Sequence, residues 1–269
     1  MSTNSALLRW MNIVAFTLTV IVNGLAGSTT LIGGVNTAFI SDSNPTLITP
    51  AGYTFAIWGI IYILLGCFVI FQALPRQREK PYNKKIGWLF VLSSIINIAW
   101  LFLWQYELLG LSLILMFTLL ATLILIYTSL GIGKSTPTFQ ERIFIQMPFS
   151  VYLGWITIAS IANVSVTAVS ANWDGFGISP ETWGILITVV ALLLTLIVIA
   201  TRKDIAYGLV VVWALFGIAS KQINPNIITT AQASAIIILL ALAATIILTL
   251  LKNGNITLQQ TRRKMVDRN

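Results

Sequence analysis

An all-α bundle that crosses a membrane about eight times is the fold class predicted here, and three observations predict it. The 269-residue chain is 57% hydrophobic and only 9% charged, with a mean hydropathy of +0.89, so it lacks the polar surface that a water-soluble globule of this size needs. Apolar windows of the roughly 20 residues that span a hydrocarbon core of about 30 Å recur eight times. The basic residues fall on alternate connections between those windows. A barrel is disfavoured, because barrel strands alternate polar and apolar in short segments whereas these windows are apolar on every face.

Taken in order, the windows cover residues 8–27, 51–74, 86–106, 108–130, 143–167, 181–201, 205–220 and 228–251. The first ends in Gly24, Ala26 and Gly27, small residues that would also suit a signal-peptide cleavage site. Its length, and the charge pattern that its removal would upset, assign it as a retained helix. The seventh is the weakest, short and carrying Gly208 and Gly217; seven or nine spans would scramble the charge segregation. Most connections are short, so successive spans should pack as antiparallel neighbours. The exception is the connection near residues 28–50, uncharged apart from Asp42 and rich in Gly, Ser, Thr and Asn, which reads as a lid over the bundle or as a plain solvated connection. The segment ANWDGFGISP at 171–180 marks a boundary, giving a five-helix part over residues 1–170, a three-helix extension over 171–251, and a basic tail over 252–269.

Of sixteen Lys and Arg, all but Lys221 lie on one side. Arg9 precedes the first span, and Arg76, Arg78, Lys80, Lys84 and Lys85 fill the second connection. Lys134 and Arg142 stand in the fourth, Arg202 and Lys203 in the sixth, and Lys252, Arg262, Arg263, Lys264 and Arg268 follow the last span. Both termini are then expected in the cytoplasm, with the protein integral to the plasma (inner) membrane. The net charge of +8 belongs beside anionic lipid, not nucleic acid. With no His, and with Cys67 as the single Cys, no internal disulfide can form and no side-chain metal site is expected. No cofactor is required, and any bound group must be gripped by aromatic and polar contacts.

Few ionisable groups lie within the spans, so a proton relay or buried-charge ion path has little to work with. The polar atoms at depth are hydroxyls, amides and indole N–H groups. On the second span Trp58, Tyr62 and Gly66 follow at intervals of four; on the third Asn97, Trp100 and Trp104 share a face; on the fifth Tyr152, Trp155, Ala159 and Asn163 do the same. A buried Asn needs an interhelical bond or a ligand, since leaving it unpaired in lipid costs several kcal/mol. Trp10, Trp88, Trp104, Trp173 and Trp183 stand near span ends and are expected to anchor the protein at the interfaces. For Trp58, Trp100 and Trp155, with Asn97 and Asn163, periodicity alone leaves packing and ligand binding equally open.

Together the clusters resemble the TspO/MBR family of tryptophan-rich sensory or translocator proteins, over residues 8–168. TPAGYTFAIWGIIYILLG, with Pro50, Trp58, Tyr62 and Gly66, is similar to the family's proline-led second helix. NIAWLFLW resembles its Asn-x-x-Trp in the third helix, and YLGWITIASIAN its fifth-helix pattern. The chain departs from the family at Thr49, where a first proline usually stands, at Leu47 or Ile48, where a loop Trp is usual, and near Thr167, where a late Trp is usual. It also continues for about a hundred residues past the five-helix family's usual end, by the resemblance. The resemblance implies a five-helix bundle with a pocket among helices 2, 3 and 5 under the first loop, taking a flat apolar ligand such as a porphyrin. Trp58, Tyr62, Asn97, Trp100, Tyr152, Trp155, Ala159 and Asn163 would be its ligand-binding residues. The expected partners are the bilayer, a small hydrophobic ligand, and a second copy or another membrane protein.

Three functions compete. The first is a ligand-binding sensor of tetrapyrroles. The alternative is a transporter of a small hydrophobic metabolite, for which eight helices suffice, although no internal repeat and no paired broken helices are evident. The third is an enzyme, and here acid–base and covalent catalysis lack their usual parts, so no catalytic residue is assigned; photochemistry on a bound porphyrin would need only a nearby indole.

Overall fold

The computed structural model describes residues 3–35 and 37–266, with side chains from Ala6 to Lys252 apart from residues 36 and 38. Eleven helices follow one another, with no strand among the described residues: α1 Thr3–Ser28, α2 Thr37–Ser43, α3 Ile57–Ala73, α4 Pro81–Ile86, α5 Leu89–Gln105, α6 Leu109–Leu130, α7 Phe139–Glu141, α8 Met147–Ser170, α9 Pro180–Arg202, α10 Ile205–Lys221 and α11 Pro225–Val266. Among the described residues six stretches are long and apolar enough to cross a membrane: Ala6–Ser28, Gly52–Ala73, Leu109–Leu130, Phe139–Ser170, Pro180–Arg202 and Pro225–Lys252. The other two apolar windows form α5 and α10, each 17 residues. At 1.5 Å per residue each reaches about 25 Å, the lower end of what a span needs. The seventh window, expected to be the weakest, thus shares its shortness with the third.

Helix ends are set by local chemistry. Ser179 accepts the Thr182 N–H ahead of Pro180, and Asp204 accepts the Tyr207 N–H to start α10. Thr138 and Glu141 form a reciprocal capping box, while Asn224 Oδ1 accepts from the Asn226 and Ile227 N–H groups at the head of α11. Gly131 closes α6 in the left-handed conformation. Between α7 and α8 the chain makes a π-helical turn over Arg142–Gln146. Pro148 supplies its physical cause, because a proline cannot donate to the preceding turn and the ring there widens. Within the spans, hydroxyls are satisfied by back-bonding to the carbonyl four residues earlier, as at Thr19, Thr157, Ser160, Thr188, Thr195 and Thr245.

The first five long helices close a ring: α1 packs on α3 and α5, α5 on α6, α6 on α8, and α8 back on α3. Phe68, Phe90 and Phe149 meet edge to face at its centre, with centroids 5.1 to 6.1 Å apart. Two polar bridges fix α1 to the ring: Asn12 Nδ2 donates to Gln72 Oε1 at 2.9 Å, and Asn23 Nδ2 to Asn97 Oδ1 at 2.8 Å. Helices α9, α10 and α11 pack on one another, and α10 lies along α8. Gly154 permits that approach, since a Cβ there would sit 3.1 Å from the Tyr207 carbonyl oxygen, and the Tyr207 hydroxyl crosses to Thr157 Oγ1 at 3.1 Å. The segment expected as a basic tail from residue 252 continues α11 as helix to Val266; residues 267–269 of that tail lie outside the described residues.

The turn after α6 is also packed tightly. Gly133 has φ +76°, and a Cβ there would fall 1.9 Å from the Arg202 carbonyl oxygen, whereas Gly177 has a similar φ of +75° in open space. Gly177→Ala should cost about 1 kcal/mol, from its left-handed backbone alone. Gly133→Ala should cost about 2 to 4 kcal/mol, because backbone must move. Thermal unfolding in detergent micelles reads both, and equal shifts in the midpoint would mean that the α6 turn is not wedged against Arg202.

Candidate functional site

At the end of the ring where the first connection lies, four indoles from three helices enclose one cavity of about 50 Å³. Thr49 and Pro50 lead into a 3-10 turn over Gly52–Ala56, which presents Phe55 and then Trp58 to the cavity. From α5 come Trp100 and Trp104; from α8 come Trp155, Ile158, Ala159, Ala162, Asn163 and Val166; Met116 of α6 completes the wall. Thr37 and Ser41 of α2, with Thr49, cover it. Among the described residues no charged side chain lines it.

Of the eight residues singled out from the sequence, Trp58, Trp100, Trp155, Ala159 and Asn163 line the cavity. Tyr62, Asn97 and Tyr152 stand behind it. Tyr62 stacks on Trp58 at 5.6 Å, and Tyr152 meets Trp58 edge-on at 6.0 Å, so both tyrosines set the tilt of that indole. Asn97 is fully buried and its Oδ1 receives Asn23, the interhelical use of a buried amide. The room left by Gly66 is taken by Phe16 of α1, whose Cζ would lie 3.2 Å from a Cβ there.

The two cavity groups with the most polar character differ in one respect. Asn163 is saturated: its Oδ1 accepts Trp100 Nε1 at 3.0 Å, while its Nδ2 donates to Ser112 Oγ at 3.2 Å and to Thr167 Oγ1 at 3.4 Å. Trp155 is only 3% exposed, yet its Nε1 has no acceptor. A buried indole N–H without a partner forfeits roughly 1 to 3 kcal/mol. The wall therefore offers flat apolar faces together with one spare donor, suited to a planar apolar molecule bearing an acceptor.

Trp104 corrects an expectation. Its place near the span end suggested an interfacial anchor, but it is 6% exposed, stacks on Trp100 at 5.8 Å and donates to the Thr37 carbonyl at 3.3 Å. Its spacing of four from Trp100 was the available signal. Trp10 and Trp88, by contrast, are exposed. Trp173 and Trp183 pair at 5.2 Å in the outer turn, where Trp183 Nε1 bonds to the Gly175 carbonyl.

The first connection is tied down on both sides. Toward the ring, Gln105 Nε2 donates to the carbonyls of Ile32 at 3.0 Å and Val35 at 2.6 Å, and Gly33 sits so close to Gln105 that a Cβ would meet its carbonyl oxygen at 2.4 Å. Toward the last three helices, Gln222 Nε2 donates to the carbonyls of Thr46 at 3.2 Å and Thr49 at 2.9 Å. Lys221 pairs with Asp42, the Ala51 N–H bonds to the Gly217 carbonyl at 2.9 Å, and Trp213 Nε1 donates to the Thr54 carbonyl at 2.9 Å. The α10–α11 turn is thus a latch on the cover of the cavity, a role that no pattern in the chain signals.

The family model described as TSPO-like protein matches residues 9–248, and so runs on through the last three helices, past the point near residue 168 where the motif resemblance stops. No curated protein and no solved structure matches the chain.

Gln222→Ala removes both side-chain donors from the Thr46 and Thr49 carbonyls. At about 0.5 to 1.5 kcal/mol per bond, amide hydrogen exchange over residues 37–54 should accelerate on the order of tenfold. Unchanged protection there would mean that the cover is held without the α10–α11 turn.

Proposed function

The chain belongs to the TSPO-like protein family, and we propose that this multi-pass membrane protein uses its aromatic cavity to bind a flat apolar ligand of the porphyrin class. The observation that carries the reading is the convergence of Trp58, Trp100 and Trp155 on one cavity where, among the described residues, Trp155 Nε1 is the one buried donor without a partner. Indole faces stack on a planar macrocycle, and an N–H donor at its edge suits a carboxylate or carbonyl substituent. Asn163 acts indirectly in this reading, by holding Trp100.

At about 50 Å³ the cavity lies well below the roughly 300 Å³ at which ligand pockets begin. Binding therefore proceeds with displacement of α2, the element whose Thr37 and Ser41 line the cavity. The affinity observed is then that of the opened cavity, reduced by the free energy of opening it. The basic face, with both termini, is assigned to the cytoplasm and the cover to the opposite side of the inner membrane, on the rule that Lys and Arg are retained inside.

Trp155→Phe keeps an aromatic ring and removes the donor. Titration of protoporphyrin IX into the protein in nanodiscs, followed through the ligand's own absorption band, should show affinity weakened about three- to tenfold, the equivalent of a hydrogen bond of roughly 0.5 to 1.5 kcal/mol. Trp183→Phe, in the outer turn, should leave it unchanged. Equal affinity in the unsubstituted chain and in a Trp58→Ala, Trp155→Phe double variant would sink the assignment.

A further inference from the structure

The largest cavity of those described lies at the opposite end of the bundle, about 450 Å³ between the turn after α6, the π-helical turn, the α9–α10 turn and α11. Three cations line it from two distant parts of the chain: Arg142, Arg202 and Lys203. A general preference for basic residues on one membrane face would place them at this level. It would not bring them to one hollow.

The carboxylates nearby are already engaged. Asp204 lines the same cavity, but its Oδ2 accepts the Tyr127 hydroxyl at 2.8 Å and its Oδ1 the Tyr207 N–H at 3.1 Å. Glu141, beside Arg142, accepts the Thr138 N–H in its capping box at 3.0 Å. The single ion pair among the described residues is Lys221 with Asp42, at the other end. Among the described residues none of the three cations is ion-paired, and they outnumber Asp204, the one carboxylate in the cavity lining.

Arg202 is held in place. Its guanidinium lies 5.6 Å above the Tyr127 ring and gives one N–H to the Ile132 carbonyl at 3.2 Å, which leaves the planar fork fixed with further donors to offer. Ile246 and Leu250 of α11 also line it, both exposed. A cationic hollow with an apolar flank is built for an anionic head carrying an apolar or short organic tail.

We propose that this cavity binds a phosphate ester, gripped by Arg142, Arg202 and Lys203, the chemistry common to an acidic phospholipid headgroup and a soluble organic phosphate. Arginine matches phosphate geometry with paired N–H donors, and lysine adds a compact charge. The site is separate from the aromatic cavity and does not rest on its ligand.

The test uses the full chain in detergent micelles, with dioctanoyl phosphatidylglycerol, glycerol 3-phosphate and inorganic phosphate as probes, measured by native mass spectrometry and calorimetric titration. Arg142→Gln with Lys203→Gly removes two cations gently: Arg142 is exposed, and Lys203 has φ 54°, a conformation that glycine adopts freely. Saturable phosphatidylglycerol binding that falls at least tenfold in this double variant, with no response to the soluble probes, supports the proposal with lipid as the source. A variant-sensitive response to glycerol 3-phosphate or inorganic phosphate supports it with a soluble ester as the source. Arg76→Gln with Lys80→Gln removes equal charge from the same face outside the cavity, and an equal loss there would overturn the proposal, as would saturable binding of none of the probes. Porphyrin affinity should be the same in all these variants, which keeps the two sites' tests distinct.

Discussion

A carboxamide inside an apolar bundle must be paired, and the pairing of Asn163 is the constraint on which the aromatic end of this molecule depends. Left unpaired, the group would cost several kcal/mol. Its bonds to Trp100, Ser112 and Thr167 join α5, α6 and α8 at one point and fix the rotation of each about its axis. With α8 so set, Trp155 and Ala159 face the same hollow as Asn163; with α5 so set, Trp104 turns inward and meets the cover at Thr37. One satisfied amide thus ties together three of the helices that wall the cavity.

Much of this was legible in the sequence, because its signals are long or periodic. The eight apolar windows correspond to α1, the Gly52–Ala73 stretch, α5, α6, α8, α9, α10 and α11, since a hydrocarbon slab imposes a length that composition must meet. Intervals of four placed Trp58, Trp100 and Trp155 on helical faces, and those faces converge. Periodicity gives a face and not its neighbour, however. It could not separate Tyr62 and Tyr152, which buttress Trp58, from residues that touch the hollow, nor tell that Asn97 answers Asn23. It also left Trp104 at a span end to be read as an anchor, because position along the chain said nothing about the loop that would fold over it.

That loop was the least legible part, for a physical reason. Apart from α2 it has little regular structure of its own, so its path is set by side chains elsewhere, Gln105 on one flank and Gln222 on the other. Glycine makes the contacts close: at Gly217 a Cβ would collide with Thr54 Oγ1 at 2.1 Å. The last three helices, featureless when read as apolar sequence, thereby gain a defined relation to the cavity. Motion of α10 relative to α8 would be felt at the cover through backbone and side-chain bonds, with no need for a longer relay.

Helix α8 is the most enclosed of the apolar stretches, held by α3 and α6 within the ring and by α10 outside it. The seam at Gly154 brings α10 almost to backbone contact. A second protomer could not pair through that flank without first prising the chain's own helix away, so self-association would have to use another surface, such as the outward side of α1 with Leu7, Val14, Leu18 and Ile21. Any such assembly would then hold one complete aromatic chamber per polypeptide, its walls never shared between subunits.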